Sequence, residues 1–306
     1  MSLAASKPAL IGIDWGTSSL RAFLIGAEGE VLDSVHSPQG IMHLAGKSFD
    51  AVFASTIETL SSDLALPIIV SGMVTSRNGW VETPYVGMPT SPEHLAHALV
   101  PHKTEGGTVI HFVTGAATEH VGGPDVMRGE ETQIIGSAAV GLSDGLFVMP
   151  GTHSKWVRVA DGQIEDFSTY MTGEIFASLK GHTILGTLME PGDFDPKAFE
   201  KGVEVSLEPS ANLLHDLFHV RTLPLLGKIN GSEASDYLSG LLIGTEVAAA
   251  IDDVKSQTEV IIVGRDDLAD RYAIAIEACG LTSKRVPEDV VARGHYLIAH
   301  KAGLLS

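Results

Sequence analysis

Short apolar runs, broken by turns of glycine, hydroxyl and acidic residues, set the rhythm of this chain. The first run, Ile11-Gly12-Ile13, ends in Asp14; Trp15-Gly16-Thr17-Ser18-Ser19 follows, and a second run opens at Leu20. That order reads as strand, tight polar turn, strand. The same patterning predicts strands over 9–14, 20–26 and 31–36, a helix over 49–63 and a strand over 67–71. A loop rich in Gly, Arg, Trp and Pro fills 72–89, a helix over 92–99 leads to a strand over 108–113, and 115–124 reads as a linker. The second half opens with a helix over 130–140 and then repeats the opening motif. A strand over 146–150 meets the turn Gly151-Thr152-His153-Ser154, and strands over 155–160 and 164–169 follow. Helices are predicted over 173–187, 211–219 and 232–254, with a polar region up to residue 209 between the first two. A buried strand over 259–263 ends at Gly264, and helices over 267–279 and 287–302 close the chain. The repeat is at the scale of a domain, so the expectation is an α/β fold of two domains, 1–125 and 126–306, with mixed sheets flanked by helices.

Composition narrows the classes. The 306 residues suffice for two domains of ordinary size, and 44% hydrophobic content marks a globular chain. No apolar run reaches the ~18 residues of a membrane helix, and residues 1–8 carry no apolar core of a secretory leader. The single Cys279 excludes an intrachain disulfide and fits a reducing cytoplasm. A net charge of −18 repels nucleic-acid backbone and anionic lipid, which leaves small molecules as the expected partners. An anionic substrate then needs local Arg, Lys, backbone N–H or metal against that field.

The two turns supply such groups. Gly16 lets backbone N–H groups approach an anion, Thr17, Ser18 and Ser19 add hydroxyls, and Asp14 can organise Mg²⁺. Asp-x-Gly-Thr is also ordinary hairpin chemistry, so it is the second turn, with Gly151, Thr152 and Ser154, that strengthens the phosphate reading. Two facing domains would close these turns on one nucleotide across an interdomain cleft. Gly264 would let adenosine lie on the backbone, or would serve only as a strand-to-helix turn.

In this order the motifs resemble the superfamily of sugar kinases, actin and heat-shock chaperone ATPases, with two RNase H-like domains. Within it the chain resembles the 2-keto-3-deoxygalactonate kinase (2-dehydro-3-deoxygalactonokinase) family. The runs that carry the likeness are Asp14-Trp15-Gly16-Thr17-Ser18-Ser19-Leu20-Arg21, Ser71-Gly72-Met73-Val74-Thr75-Ser76-Arg77-Asn78-Gly79-Trp80, Met127-Arg128-Gly129-Glu130-Glu131-Thr132-Gln133, Met149-Pro150-Gly151-Thr152-His153-Ser154-Lys155-Trp156, Met171-Thr172-Gly173-Glu174 and Tyr237-Leu238-Ser239-Gly240-Leu241-Leu242-Ile243-Gly244. Ser18-Ser19 stand where the family pattern has Thr-Asn; serine keeps a hydroxyl and loses an amide. The resemblance implies ATP- and Mg²⁺-dependent phosphorylation of 2-keto-3-deoxy-D-galactonate at its 6-hydroxyl, in galactonate catabolism in the cytoplasm. The alternatives are a kinase for another sugar or keto-deoxy acid, or a nucleotide-dependent switch protein of the same fold.

On that reading Asp14 organises the metal, Gly16, Thr17, Ser18, Gly151, Thr152 and Ser154 surround the phosphates, and Gly240 and Gly264 border the adenosine. The base is Glu130 or Glu131, with Glu130 favoured; two acids in a helix's first turn also complement its dipole. The substrate's carboxylate calls for an arginine fork, from Arg21, Arg77 or Arg128, with Arg77 preferred for its place in a glycine-bearing loop. Trp80 would pack on the sugar chain, while Thr172 and Glu174 face the sugar or cap a helix. His94 and His97, with His102 and His111, lack the acids or thiols of a metal site. Pro150, His153 and Trp156 read as framing for the second turn, and Cys279 as core.

Overall fold

The computed structural model describes residues 7–60, 65–252, 258–286 and 289–305. The chain packs into two compact units. The first comprises Met1–Asp144, Arg158–Phe167 and Glu288–Ser306; the second comprises Gly145–Val157 and Ser168–Pro287.

In the first unit, β1 (Pro8–Trp15), β2 (Leu20–Gly26) and β3 (Val31–Ser37) form an antiparallel meander. Helix α1 (Phe49–Leu60) leads to β4 (Ile68–Ser71), which lies parallel to β1. Next come β5 (Tyr85–Gly87), α2 (Pro92–His97), β6 (Val100–Lys103) and β7 (Val109–Phe112). The main sheet has the order β3-β2-β1-β4-β7-β6. Central β1 is apolar on both sides because both faces are covered. Ile11, Ile13 and Trp15 enter a core with Val52, Phe53 and Ile57 of α1, and Leu10 enters a second core with the C-terminal helix. The segment expected as a linker is a hairpin instead: β8 (Gly115–His120) and β9 (Gly123–Met127) pair with each other, and β8 pairs with β5. Its glycines and threonines suit a linker by composition, but cross-strand pairing, which the local composition does not report, makes them strand residues. Helix α3 (Glu130–Ser137) follows.

In the second sheet, β10 (Gly145–Met149), β11 (Ser154–Ala160) and β12 (Gln163–Tyr170) precede α4 (Thr172–His182), α5 (Pro196–Leu207), α6 (Leu213–Asp216), α7 (His219–Leu225) and α8 (Ala234–Ala250). Then come β13 (Glu259–Val263), α9 (Asp266–Ala278) and β14 (Thr282–Val286), and α10 (Val290–Lys301) ends the chain. The sheet order β12-β11-β10-β13-β14, with β10, β13 and β14 parallel, repeats the first sheet's core arrangement. The fold is therefore α/β with two RNase H-like units, as the sequence implied.

The units divide near residue 144, not 125, and α10 returns to the first unit. The reason is close packing of α3 on α10: a Cβ on Gly136 would collide with the Val290 carbonyl, and one on Gly294 with the Thr132 carbonyl. The predicted polar stretch before residue 209 contains α5, started by the Asp195 side chain, which accepts from the Ala198 N–H at 3.0 Å, and by Pro196 at its first position. Strands β6 and β14 were also missed, being short and mostly exposed. The predicted helix over 211–219 divides into α6 and α7. Parts of three predicted helices (residues 61–63, 253–254 and 287–288) lie outside the described residues.

Candidate functional site

In the first unit the site grows from the C-terminal ends of parallel β1 and β4. Asp14 and Ser71 sit side by side there, at the end of an α/β sheet where ligands usually bind. The turn after Asp14 is closed by the Gly16 N–H donating to the Ser19 carbonyl at 2.9 Å, and Thr17, Ser18 and Ser19 are exposed. The chain crosses beneath it: Ile41 and Met42 donate backbone N–H groups to the carbonyls of Gly16 and Thr17, at 3.0 and 3.1 Å. Gly40 makes this crossing possible, since a Cβ there would collide with the backbone of residues 17–19.

Arg21 is turned onto Asp14. Its Nε and Nη2 donate to Asp14 Oδ2 at 3.2 and 2.6 Å, holding the carboxylate at the mouth of the turn. The other oxygen, Oδ1, faces Gly72. Only glycine suits that position, because its φ is 97° and any Cβ would lie 2.8 Å from the Trp15 carbonyl. Behind them, His295 of α10 is fully buried with Nε2 2.8 Å from Ser71 Oγ. Burial, and then the nearby Arg21 charge, push its pKa down to about 3, so it is neutral.

The α3 N-terminus meets the same corner: a Cβ on Gly129, itself at φ 110°, would lie 3.0 Å from Gly72 Cα. The first-turn acids fold back on the helix start. Glu130 Oε2 accepts from the Arg128 N–H at 2.9 Å, and Glu131 Oε2 accepts from the Gly129 N–H at 2.7 Å. Their environments differ. Glu131 is wholly buried, and desolvation, aided by the Glu130 charge, raises its pKa to about 8. Glu130 keeps solvent access. One acid is thus held as a neutral carboxyl at pH 7, and the other stays in partial contact with solvent.

Two substrate expectations are corrected here. Arg77 is 85% exposed and its Nε donates to Glu82 Oε1 at 3.2 Å, a surface ion pair. Trp80 sits among aromatic rings, stacked on Phe49 at 6.1 Å and edge-on to Trp15 at 6.1 Å and Phe112 at 5.8 Å, so its faces are occupied by core. Arg128 is the buried arginine: Nη1 donates to Thr75 Oγ1 and Thr83 Oγ1 at 2.7 and 2.6 Å, and Nη2 donates to the Thr83 carbonyl at 3.1 Å.

The second unit carries a cavity of about 450 Å³ beside its own turn, bordered by Gly151, Thr172, Gly173, Phe194, Ser239, Arg265 and Arg271, among others. The turn is braced from α4: the Glu174 N–H donates to the Thr152 carbonyl at 2.9 Å, and a Cβ on Gly173 would collide with the Gly151 carbonyl. Glu174 pairs with His153, Nε2 to Oε2 at 2.5 Å, which binds the helix to the turn. Ser154 is buried, its Oγ 2.7 Å from the Tyr272 hydroxyl, so its side chain supports the turn from behind. Tyr272 donates onward to Glu246 Oε2 at 2.7 Å, and Trp156 Nε1 donates to Glu246 Oε1 at 2.8 Å. Burial raises the Glu246 pKa against these hydrogen bonds and one from Thr172.

Gly264 follows β13 next to Pro150; a Cβ on it would meet Pro150 Cδ at 3.4 Å, and the following Arg265 borders the cavity. Gly240 faces the other way. A Cβ on it would collide with the Phe199 carbonyl of α5, so it serves helix packing, while Ser239, Leu242 and Ile243 of the same helix line the cavity. Sequence reasoning missed Phe194 and Arg271, whose guanidinium lies 4.2 Å over the Phe194 ring and pairs with Asp236 at 3.0 Å. No spacing in the sequence relates residues so far apart.

No helix among the described residues is long and apolar enough to cross a membrane. The profile of the 2-keto-3-deoxy-galactonokinase family matches residues 14–298. A 2-dehydro-3-deoxygalactonokinase of Escherichia coli (strain K12) is 38% identical over 291 residues, covering 95% of this chain and 97% of that protein. The chain resembles, at 36% identity and TM-score 0.87, a crystal structure from Sinorhizobium meliloti ascribed to a 2-dehydro-3-deoxygalactonokinase, covering 95% of this chain and 98% of that one. Component A of the (R)-2-hydroxyglutaryl-CoA dehydratase of Acidaminococcus fermentans superposes at TM-score 0.55 with 12% identity, over 97% of this chain and 100% of that one; this likeness is one of fold alone. By profile, identity and coverage together, the chain belongs to the 2-keto-3-deoxy-galactonokinase family.

Proposed function

We propose that this protein transfers the γ-phosphoryl group of ATP to the terminal 6-hydroxyl of 2-keto-3-deoxy-D-galactonate, releasing ADP. Family membership supports the reaction, and one observation supports the roles. Asp14, Gly72 and the α3 start meet at the end of β1 and β4, with a solvent-accessible acid, Glu130, beside them. Phosphoryl transfer asks for positioning, charge neutralisation and a proton acceptor rather than covalent chemistry by the protein.

Glu130 accepts the hydroxyl proton as the sugar oxygen forms its bond to the γ-phosphorus. The bond from that phosphorus to the bridging oxygen breaks, and its electron pair leaves with ADP. Glu131 stays protonated at neutral pH and keeps a second negative charge away from the incoming phosphates. The backbone and hydroxyls at Gly16, Thr17 and Ser18 serve the phosphates, as do Gly151 and Thr152, and the cavity beside Gly264 takes the adenosine. The oxygen donors at the first turn fit Mg²⁺, because Asp14 Oδ1 is turned from Arg21 and carboxylate and hydroxyl oxygens are what a hard cation takes. Asp14 would hold the ion, which when bound neutralises phosphate charge. A cytoplasmic place in galactonate breakdown follows from this substrate.

The test is ADP release measured with ATP alone, with the keto-deoxy acid, and with a panel of neutral sugars. Release that requires a keto-deoxy acid and fails in Glu130→Gln is expected. A Glu130→Gln rate equal to wild type removes Glu130 as the base.

A further inference from the structure

Arg128 is more than nine-tenths buried, with 8% exposure. Its interactions are an incomplete set for such a cation. Both hydrogens of Nη1 and one of Nη2 go to Thr75 and Thr83, and the ring of Tyr85 covers one face, 4.2 Å from the guanidinium carbon. Nε, buried like the rest, has no acceptor, and no acid among the described residues pairs with this arginine. A desolvated guanidinium with neutral partners on one edge and a bare donor on the other is costly unless an anion completes it. The bare edge, Nε together with the remaining Nη2 hydrogen, is the two-pronged fork that matches a carboxylate. Its position matters as much as its chemistry. Arg128 precedes Gly129 and Glu130, and its own N–H is bonded to the Glu130 carboxylate.

Resting on the kinase reading above, we propose that the Nε–Nη2 edge of Arg128 is the receptor for the substrate's carboxylate, and that it sets the preference for a sugar acid over a neutral sugar. Thr75 and Thr83 fix the plane of the fork from its opposite edge. Nε is closed to solvent, so the carboxylate reaches it by displacing the cover over that edge, while Tyr85 stays stacked on the face of the guanidinium. The acid end of the substrate is thereby anchored at the guanidinium, and its far hydroxyl is the end left for Glu130 to deprotonate and for ATP to phosphorylate.

The experiment compares wild type, Arg128→Lys and Arg77→Ala on the keto-deoxy acid and on its neutral methyl ester, with KM and kcat for each and KM for ATP. Lysine keeps the charge and loses the fork. The expected result in Arg128→Lys is a KM for the acid raised about 100-fold, the scale of losing charge-assisted hydrogen bonds. Its KM for ATP and its constants for the ester should stay within about twofold of wild type. Arg77→Ala should keep the acid preference. Equal losses on acid and ester would make Arg128 a staple of the Thr75–Thr83 loop and overturn the proposal, as would an unchanged KM for the acid. Should Arg128→Lys fail to fold, equal wild-type efficiency on acid and ester, or loss of the acid preference in Arg77→Ala, overturns it, and a preference kept in both supports it. If wild type phosphorylates neither compound, the kinase reading fails separately; calorimetric titration of the acid alone into wild type and Arg128→Lys then still decides the fork.

Discussion

The two glycine–threonine turns look alike in sequence and are supported by different partners. The turn after Asp14 rests on charge: Arg21 clamps the Asp14 carboxylate and three hydroxyl residues stay exposed. The turn after Pro150 rests on a buried chain that runs from the Ser154 and Tyr272 hydroxyls to the Glu246 carboxyl, and on the His153–Glu174 pair, and its open side borders a cavity. What they share is a glycine that is in neither turn. Gly40 lets the chain cross under the first, and Gly173 lets α4 abut the second. The lesson is that two turns alike in sequence are held by different elements packed behind them.

The comparison breaks most visibly at its charged end. Asp14→Asn should cut kcat by about 10³-fold or more, since the same carboxylate is held by Arg21 and, in the proposed reaction, organises the metal. Glu130→Gln should cost about 10²–10⁴-fold in kcat, the range of a lost general base. Steady-state rates with saturating ATP read both, and either variant within tenfold of wild type would break the assignment. At the other end, Gly173→Ala forces a Cβ into the Gly151 carbonyl and should destabilise the protein by about 1–3 kcal/mol while raising KM for ATP. Gly40→Ala should do the same through the first turn. A thermal melt with ATP kinetics on both variants shows whether the turns are equally dependent on their buttress.

Smaller effects separate the two acids of α3. Glu131→Gln replaces a carboxyl that already holds its proton, so kcat at pH 7 should change by no more than about threefold. A loss as large as that of Glu130→Gln would exchange their roles. The variant also has a stability signature. The folded protein keeps the Glu131 proton up to about pH 8, whereas the unfolded chain releases it near 4.5. Wild type therefore loses stability from this group as pH rises from 4.5 to about 8. The Glu131→Gln melting temperature should exceed wild type most at pH 8 and converge with it toward pH 4.5. His295 acts from the other side. Its folded pKa of about 3 lies below the ordinary 6.5, so its contribution is intact above 6.5 and lost as pH falls toward 3.

Much of this was legible in the sequence. Strands β1, β2 and β10 and both turns follow from apolar runs that stop at an acid or a proline and a glycine. The places of the candidate residues were legible where they are local, as for Asp14 at the end of β1 or the paired acids in the first turn of α3. It was not legible where it depends on distant contacts. Trp80 looked like a sugar platform because it stands three residues after Arg77, but Phe49, Phe53 and Phe112 claim its ring. Arg77 and Arg128 are indistinguishable by residue type; only burial separates a surface ion pair from a fork with a bare donor. Ser154 has a phosphate-binding residue type at a phosphate-binding spacing, yet its hydroxyl turns inward because Tyr272, far along the chain, offers it a buried partner.

The most direct test of the account is phosphoryl transfer itself, followed by ³¹P NMR on purified protein with ATP, Mg²⁺ and 2-keto-3-deoxy-D-galactonate. A new phosphomonoester at the terminal carbon, formed as ADP appears and absent with Glu130→Gln, is the predicted result. ADP released at the same rate without the acid, or a phosphoester made equally well on neutral sugars, would contradict it.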